Sequence, residues 1–497
     1  MRTDSNLKYH YHAILSYIGL NFLLIGLLIF TPLLALLAWH DEWIYSPGFI
    51  VPAVVLSSIG FVIWKVFRSR RAVTLTVQDG GIVVLFSWIV AFLSSAIPFM
   101  AIIRLNFTQA VFEAVSGWTT TGLSVVDVAN APNAILLWRS IMQLVGGAGF
   151  AIIMLATITG PVGPGVSIAE GRTDQLAPHI RRSVKLVATI YGGYAIFGII
   201  SYQLAGMSFF DAINHSFAAI STGGFSTKPE NIGHWDSPAV EAVSIILMIF
   251  GNMNFLTAYM LLSGRFKAFY RNGEVKTMAV LIPLCAVILI FLVCNSIYLT
   301  TGKVFRVALF EVVTCLTTTG FTSTVYANWN SLGYLVLTLL MLVGGGTCST
   351  AGGIKQYRIY ILFKSFIWDL KRPFLPKQAI VENHVWKGEW KEFVTSEHIR
   401  QVGTFVFLYL CLYFLGSGII ATHGYKLNES LFEFASAMGT VGSSCGLTAA
   451  ASPKLVLWTE VIGMFLGRLE FFVIFVSIGK IVRDAFSISK PAPLRRM

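Results

Sequence analysis

The chain has 497 residues, of which 55% are hydrophobic and only 12% are charged. This composition is typical of a polytopic membrane protein and excludes an ordinary soluble enzyme. The net charge of +12 does not indicate nucleic-acid binding, because 28 of the 36 Lys and Arg residues lie in alternate connections between apolar segments. That distribution follows the positive-inside rule, places both termini in the cytoplasm and requires an even number of spans.

Ten apolar stretches are long enough to cross a bilayer. They comprise residues 12–39, 49–67, 82–103, 134–158, 184–206, 239–263, 277–300, 331–363, 401–422 and 455–480. The polar N-terminus carries no small-residue cleavage site, so the first stretch is predicted to be a retained span. The six cysteines lack the spacing of a metal site, and they predict neither a zinc site nor a disulfide framework.

A short motif recurs in the connections after the third, fifth, seventh and ninth stretches. Its four copies are FEAVSGWTTTGLS (112–124), NHSFAAISTGGFS (214–226), FEVVTCLTTTGFT (310–322) and FEFASAMGTVGSS (432–444). They align without a gap, and each has threonine at its ninth position and glycine at its eleventh. A single Thr-x-Gly carries little information, but four copies in one register indicate an internal repeat.

The repeat predicts four re-entrant loops. Non-helical backbone at membrane depth is tolerated only where it is buried in protein or faces water, so we expect the four turns to surround one aqueous axis. Their carbonyl groups and the preceding helix ends would then form a cation filter. Its candidate residues are Thr120, Thr121, Gly122, Thr222, Gly223, Gly224, Thr318, Thr319, Gly320, Thr440, Val441 and Gly442. The alternative is that these are packing turns between helical hairpins.

The span, short helix, Thr-x-Gly loop and span unit, present four times, resembles the superfamily of bacterial Trk and Ktr and plant and fungal Trk/HKT potassium transporters. The likeness covers about residues 80–482 and includes WRSIMQLVGGAGF (138–150), MLVGGGTCSTAGGIKQYR (341–358) and GRLEFFVIF (467–475). The two additional N-terminal spans are similar to the TrkH and TrkG branch. The resemblance implies a potassium-selective, channel-like pore, and glycine at all four filter positions agrees with potassium rather than sodium.

Two further features suggest a gate. The segment GGGTCSTAGG comprises Gly344, Gly345, Gly346, Thr347, Cys348, Ser349, Thr350, Ala351, Gly352 and Gly353. It is too rich in small residues to hold a regular helix in mid-membrane, and close helix packing is the alternative. Arg468 lies deep in an apolar span, so it should face the axis or a partner and could bond carbonyls of this loop. The resemblance implies that both obstruct the pore; a structural ion pair is the alternative for Arg468.

Three motif copies carry glutamate at the second position, and these residues are expected first to cap the short helices and second to attract cations at the pore mouth. They are Glu113, Glu311 and Glu433. In the second copy His215 takes this place and is interpreted as a wall residue with satisfied hydrogen bonds. In the fourth copy a register shifted to Gly446 is possible, although Thr440-Val441-Gly442 keeps the shared spacing.

The predicted fold is therefore an all-α polytopic membrane protein, in which two N-terminal transmembrane helices precede four repeats around a central ion pore. The segments are an N-terminal extension (1–80), repeat 1 (81–160), repeat 2 (184–265), repeat 3 (276–365), a cytoplasmic connection (366–399), repeat 4 (400–483) and a cytoplasmic tail (484–497). The resemblance further implies a homodimer in the bacterial cytoplasmic membrane and a separate nucleotide-binding regulatory subunit of the RCK (TrkA) type in the cytosol.

The function predicted from the sequence is potassium uptake, with potassium as substrate and no cofactor bound by this chain. A secondary symporter coupled to sodium or protons is the nearest alternative, although such proteins more often show two inverted halves. A membrane-embedded enzyme is a weaker alternative, because the loops offer threonine and glycine rather than paired titratable groups. The sequence contains no GxxxxGK[ST], HExxH or GxSxG motif.

Overall fold

The computed structural model describes residues 4–68, 76–148, 180–376, 382–387, 390–469 and 471–489. Six helices in these ranges are long and apolar enough to cross a membrane, or seven if Pro238–Asn252 and Phe255–Leu262, which meet at 116°, form one bent span. The predicted stretches 331–363 and 455–480 are interrupted helices, and the stretch 134–158 continues beyond residue 148 into a segment outside the described ranges. The fold is a helical, polytopic membrane protein.

Four units follow one another along the chain, each with a leading helix, a short helix and a return helix. The leading helices are Val77–Ile102, Ile180–Leu204, Gly273–Leu292 and Ser396–Ala421. The short helices are Phe107–Trp118, Phe209–Ile220, Thr301–Leu316 and Leu427–Met438. The return helices are Asn133–Ala148, Pro238–Asn252, Ser331–Val343 and Lys454–Arg468. The short helices are buried on most of their surface, so they lie inside a shell of longer helices.

Shorter elements connect these helices. The additional helices are Leu33–Leu36, Phe255–Leu262, Phe266–Arg271, Gln356–Lys371 and Phe471–Ser489. The 3-10 turns are His40–Tyr45, Asn231–Trp235, Cys294–Ser296, Tyr326–Asn328 and Arg372–Phe374. Two antiparallel strands, His384–Lys387 and Trp390–Phe393, form a hairpin in the connection before the fourth unit. This hairpin departs from the all-helical prediction; Val385 is buried with Ile361 of the helix before it.

An N-terminal pair of helices, Asp4–Ile29 and Ser46–Phe67, packs along the first leading helix. Small residues allow close backbone contact between the two, because a side chain at Gly60 would collide with the backbone of Gly19. The pair is tied to the first unit by a buried hydrogen bond of 2.7 Å from Asn21 to Ser87. Asp79, at the start of the leading helix, also forms a buried ion pair with Lys480 of the last helix.

Candidate ion-conducting site

Each short helix ends in the same hydrogen-bonded turn. In the first unit, the amide of Thr120 donates to the Gly117 carbonyl and the amide of Thr121 donates to the Ser116 carbonyl, at 3.2 and 2.9 Å. The other three units repeat both bonds. The pair of bonds is a Schellman motif, which ordinarily uses glycine in the left-handed conformation. Here the left-handed residue is a threonine in every unit: Thr120 (φ 56°), Thr222 (φ 51°), Thr318 (φ 54°) and Thr440 (φ 50°).

The four Thr-x-Gly loops, Thr120–Gly122, Thr222–Gly224, Thr318–Gly320 and Thr440–Gly442, close into a ring. A Cβ atom at each glycine would overlap the carbonyl oxygen of the middle residue of the next loop. The contacts run from Gly122 to Gly223, from Gly224 to Thr319, from Gly320 to Val441 and from Gly442 to Thr121. Because the fourth loop returns to the first, the loops surround one axis. The register that uses Gly442 rather than Gly446 is the one that closes this ring.

Backbone atoms dominate the contacts within this ring. Each glycine has positive φ, at 96°, 74°, 76° and 98° in chain order, a conformation that residues with a side chain rarely adopt. A Cβ atom at any of the four would also overlap the neighbouring loop. The four short helices also direct their C-terminal ends to the loops that follow them. Carbonyl oxygens and helix C-termini both create negative potential, and this arrangement favours a cation on the axis.

The three glutamates of the motif are buried, and each braces the chain that follows its loop. Glu311 accepts hydrogen bonds from the Ser323 amide at 2.9 Å and from the Tyr326 hydroxyl at 2.5 Å. Glu433 accepts from the Cys445 amide and the Thr448 hydroxyl, at 3.0 and 2.5 Å. These bonds hold the segment after each Thr-x-Gly loop against the helix before it.

The third glutamate, Glu113, makes similar bonds and also an ion pair. It accepts from the Val125 amide at 3.0 Å and from the Arg139 guanidinium at 2.7 Å, and both charged side chains are buried. Arg139 reaches further, donating to the Ser226 carbonyl at 3.0 Å and stacking on Phe225. It thereby connects the first loop to the second. Arg139 was not predicted from the sequence. A charged residue in the otherwise apolar helix Asn133–Ala148 was the signal that could have indicated a buried partner.

The prediction that these glutamates cap their helices is wrong. The helices begin at Phe107, Thr301 and Leu427, at least six residues before the glutamates, because the residues that start them lie further upstream. In the first unit Asn106 is the N-cap and accepts a bond from the Gln109 amide. The position therefore faces the loop, where a carboxylate can accept several bonds at once.

His215 occupies the same position in the second unit. Its Nδ1 lies 2.8 Å from the Asp211 carbonyl and its Nε2 lies 2.9 Å from the Ser226 hydroxyl. The ring is fully buried, so the histidine braces Ser226 much as the glutamates brace their own units. Its interpretation as a wall residue with satisfied hydrogen bonds is confirmed.

The return helices pack tightly on the ends of the short helices. A side chain at Gly146 would overlap the Trp118 carbonyl, and one at Gly467 would overlap the Met438 carbonyl. Gly251 makes the same approach to the Ile220 carbonyl, at 2.6 Å from a Cβ position. Just beyond this level, the second, third and fourth return helices end, at Asn252, Val343 and Arg468.

The glycine-rich loop, Gly344–Gly353, fills the space beneath the ring. No helix forms between Val343 and Gln356, as the small residues predict. The Gly352 amide donates to the Thr318 hydroxyl at 2.8 Å, and the Thr350 hydroxyl lies 3.1 Å from that of Thr222. A Cβ at Gly352 would also overlap the Thr440 hydroxyl. The loop therefore touches three of the four Thr-x-Gly loops directly.

The start of the glycine-rich loop is held by residues of neighbouring helices. The Gly346 amide donates to the Asn252 side-chain oxygen at 3.1 Å. The amide and hydroxyl of Thr347 both donate to Glu274, each at 2.7 Å. Asn252 and Glu274 were not predicted from the sequence, because they act on a segment far from them in the chain.

Arg468 lies at the end of the fourth return helix and bonds to backbone carbonyls. Its Nη1 donates to the Thr350 carbonyl at 2.6 Å and its Nη2 donates to the Gly146 carbonyl at 2.5 Å. The predicted contact with the glycine-rich loop is therefore observed. Glu470, two residues further along the chain, lies outside the described residues. The guanidinium therefore joins the glycine-rich loop to the first return helix.

Known proteins are similar to this chain in sequence and in fold. A sequence profile of the TrkH family, described as cation transport proteins, matches residues 49–490. The Trk system potassium uptake protein TrkH of Escherichia coli K12 is 30% identical, covering 94% of this chain and 98% of that protein. An uncharacterised cation transporter of Methanocaldococcus jannaschii is 28% identical, covering 93% and 94%.

A solved structure agrees with these relatives. The crystal structure of the potassium transporter TrkH from Vibrio parahaemolyticus superposes with a TM-score of 0.81 at 27% identity, covering 94% of this chain and 98% of that one. The profile match alone extends over most of the described residues. The chain belongs to the TrkH family of cation transport proteins.

Proposed function

We propose that this protein takes up potassium through a gated pore whose selectivity filter is the ring of four Thr-x-Gly loops. The observation that carries the proposal is the cyclic contact between each loop glycine and the next loop's middle carbonyl. Relatives of nearly equal length are named potassium uptake proteins. Backbone carbonyls replace the hydration shell of a potassium ion, and the rigid turns keep them at the required spacing.

The driving force requires no nucleotide site in this chain. A monovalent cation gains about 2.3 kcal/mol for each 100 mV of inside-negative potential. In this proposal both termini lie in the cytoplasm, on the side that the basic connections favour, and the apolar helices support a multi-pass protein of the bacterial inner membrane.

The glycine-rich loop is the gate in this proposal. Arg468 is its latch, meaning the residue whose hydrogen bonds hold the loop in the closed position, and its positive charge is also a barrier to cations. The loop lies against three Thr-x-Gly loops, and the Arg468 guanidinium bonds to Thr350 at its centre. A fixed positive charge on the conduction path opposes a potassium ion by direct repulsion. Opening therefore requires movement of the loop and of the guanidinium together.

A cytosolic regulatory subunit and a second copy of this chain complete the proposed assembly. The segment 364–400, which includes the cytoplasmic connection, is the proposed docking segment for the subunit. Its hairpin is connected to the helix after the gate, because the Tyr357 hydroxyl donates to Glu392 at 2.9 Å. Arg271 also stacks on Trp386 of the hairpin, close to the start of the third unit.

Rubidium uptake into proteoliposomes tests the proposal. The purified chain is reconstituted alone, an inside-negative potential is imposed, and potassium or sodium is added as competitor. We expect uptake that potassium blocks and sodium does not. A variant with a shortened glycine-rich loop is measured in parallel, because a closed gate would silence the parent. If both folded proteins fail to take up rubidium, the pore is the wrong function.

A further inference from the structure

The return helices of the first and fourth units carry different side chains at one equivalent position. Gly146 and Gly467 both lie against the carbonyl of the last residue of a short helix. Seven residues before these glycines lie Arg139 in the first unit and Glu460 in the fourth. Arg139 is opposite in charge to the motif glutamate that it contacts, whereas Glu460 lies one hydroxyl group away from Glu433. The fourth unit therefore has two acids where the first has an acid and a base.

Both carboxyl groups of the fourth unit are fully buried and contact the same hydroxyl. The Thr448 hydroxyl lies 2.5 Å from Oε1 of Glu433 and 3.0 Å from Oε1 of Glu460. The other oxygen of Glu460, Oε2, has no hydrogen-bond partner among the described residues. A buried charge without compensating partners is strongly unfavourable. Glu460 therefore lacks the surroundings that an ionised carboxylate needs.

The number of available hydrogens assigns a proton to this pair. A hydroxyl has one hydrogen to donate, and an ionised carboxylate can only accept. Thr448 can therefore bond to both carboxyl groups only if one of them is protonated and donates to its oxygen. Glu433 is the ionised member, because it also accepts from the Ser444 hydroxyl and from the amides of Cys445 and Thr448. The proton belongs to Glu460.

The ionisable groups around the pair supply no spare positive charge in the described part of the chain. On the helix of Glu460 itself, Lys454 is exposed at the start and Arg468 bonds to backbone carbonyls at the end. The neighbouring elements contribute the Cys445 thiol, the Lys426–Glu429 pair of the short helix, Tyr409 and Tyr413 of the leading helix, the Arg139–Glu113 pair of the first unit and the Lys480–Asp79 pair of the last helix. Each cation in this set already has its own carboxylate, so a proton is the charge that remains for Glu460.

We propose that Glu460 is a proton-binding site beside the fourth Thr-x-Gly loop and that its proton exchanges with the extracellular medium. The proposal rests on the uptake function proposed above. With the proton bound, Glu460 donates to Thr448, Thr448 donates to Glu433, and Glu433 holds the chain after the loop. Release of the proton to external water leaves two buried carboxylates and one hydroxyl hydrogen, which can serve only one of them. The two carboxylates then repel each other, and the brace of the fourth loop is weakened.

The site lies close to the surface of the fourth unit. Glu460 is in the second turn of its helix, and Thr448 is followed by the exposed residues Ala449, Ala450 and Ala451. In the proposed orientation this surface is extracellular, so the site responds to external pH. Because Glu433 braces the chain after the fourth loop, the proton acts on one of the four loops that form the proposed filter. We therefore expect ion uptake to fall as external pH rises.

Rubidium uptake by the variant with the shortened glycine-rich loop tests the effect of the proton. External pH is varied from about pH 6 to about pH 9 while internal pH is held fixed, and uptake should fall several-fold across this range. Glu460→Gln is neutral at every pH, and its amide can donate to Thr448 as the protonated acid does. Its uptake should remain near the low-pH value throughout. Glu429→Gln is the matched control, because it removes a partly exposed carboxylate from the same short helix and should keep the pH dependence.

Infrared spectroscopy of the same reconstituted proteins measures the proton directly. A protonated carboxyl group absorbs apart from a carboxylate, and at neutral pH Glu460→Gln should lack a protonated-carboxyl band that the parent and Glu429→Gln share. An unchanged band would overturn the proposal, as would uptake that ignores external pH or that falls equally in Glu460→Gln. Absent uptake at every pH in folded protein rejects the pore instead, and the infrared band then decides the proton site by itself.

Discussion

The four Thr-x-Gly loops and the ends of the second, third and fourth return helices differ in how well they preserve the internal repeat. The loops keep the same turn, the same left-handed threonine and the same contact with the next loop. The second and fourth of these helices place a glycine against the end of a short helix. The residues that follow then diverge: Asn252, the glycine-rich loop and Arg468 occupy related places. Equivalent positions therefore form the ring that we propose as the filter, and non-equivalent residues form the proposed gate.

The largest effect on rubidium uptake is expected at the loop glycines, where the four repeats are most alike. Gly320→Ala should abolish rubidium uptake, because its Cβ would overlap the Val441 carbonyl and its φ of 76° is unfavourable for alanine by about 1–2 kcal/mol. Uptake and thermal unfolding are measured on the same preparation. Gly446→Ala is the matched control, since Gly446 has a φ of 92° but no atom within 4 Å of a Cβ position. Normal uptake by folded Gly320→Ala would show that the ring is not the conduction path.

The braces behind the ring should differ in strength, because among the described residues only the brace formed by Glu113 contains an ion pair. Glu113→Gln leaves the buried Arg139 charge uncompensated, at a cost of about 3–5 kcal/mol in unfolding free energy. Glu311→Gln removes charge but keeps an acceptor for Ser323 or Tyr326, at a cost of about 1–3 kcal/mol. Denaturation in detergent micelles compares the two variants. Equal losses would mean that the ion pair does not distinguish the first unit.

Removing the proposed latch should have an intermediate effect of opposite sign on transport. Arg468→Ala deletes the bonds to Thr350 and Gly146, and a loss of about 1.4 kcal/mol from the closed state would raise the open population tenfold. Uptake by Arg468→Lys should lie between that of the parent and that of Arg468→Ala, because a lysine ammonium cannot replace a planar guanidinium that donates to two carbonyls at once. Arg400→Ala, at an exposed pair with Glu397, controls for loss of positive charge. Unchanged uptake by folded Arg468→Ala would contradict the proposed role in gating and would indicate that Arg468 is only structural.

The smallest effect is expected at an exposed ion pair outside the ring. The hydrogen bond from Lys303 holds the pKa of Asp236 below its ordinary value of 3.8. This pair therefore stabilises the fold above about pH 4, and the contribution is lost as the pH falls through the lowered pKa. Asp236→Asn should cost at most about 0.5 kcal/mol at pH 7, since the carboxylate is largely exposed, and nothing in strong acid. Unfolding curves at both pH values test this; a loss that persists in acid would contradict it.

Sequence reasoning predicted the parts of the site that depend on repetition and local backbone freedom. The register of the four loops and the need for glycine at Gly122, Gly224, Gly320 and Gly442 follow from aligned residues within one chain. The non-helical segment at 344–353 follows from its small residues. Each of these features depends on residues that are close together in the sequence, so it can be predicted from the sequence alone.

The remaining parts depend on contacts between distant segments. Nothing near Glu274 indicates that it bonds to Thr347, and nothing near Glu113 indicates that its partners are Arg139 and the chain after the loop. The prediction that the glutamates lie at helix starts fails because their helices begin earlier than the motif suggests. The left-handed threonines were also missed, since propensity favours glycine there.

Anomalous diffraction from crystals grown in rubidium tests the central claim most directly. The account predicts a peak on the axis of the ring formed by Gly122, Gly224, Gly320 and Gly442, at coordinating distance from backbone carbonyl oxygens of all four loops. Sodium in place of rubidium should leave this position without anomalous signal. A rubidium peak elsewhere, with none on this axis in protein that takes up the ion, would contradict the assignment of the four loops as the filter.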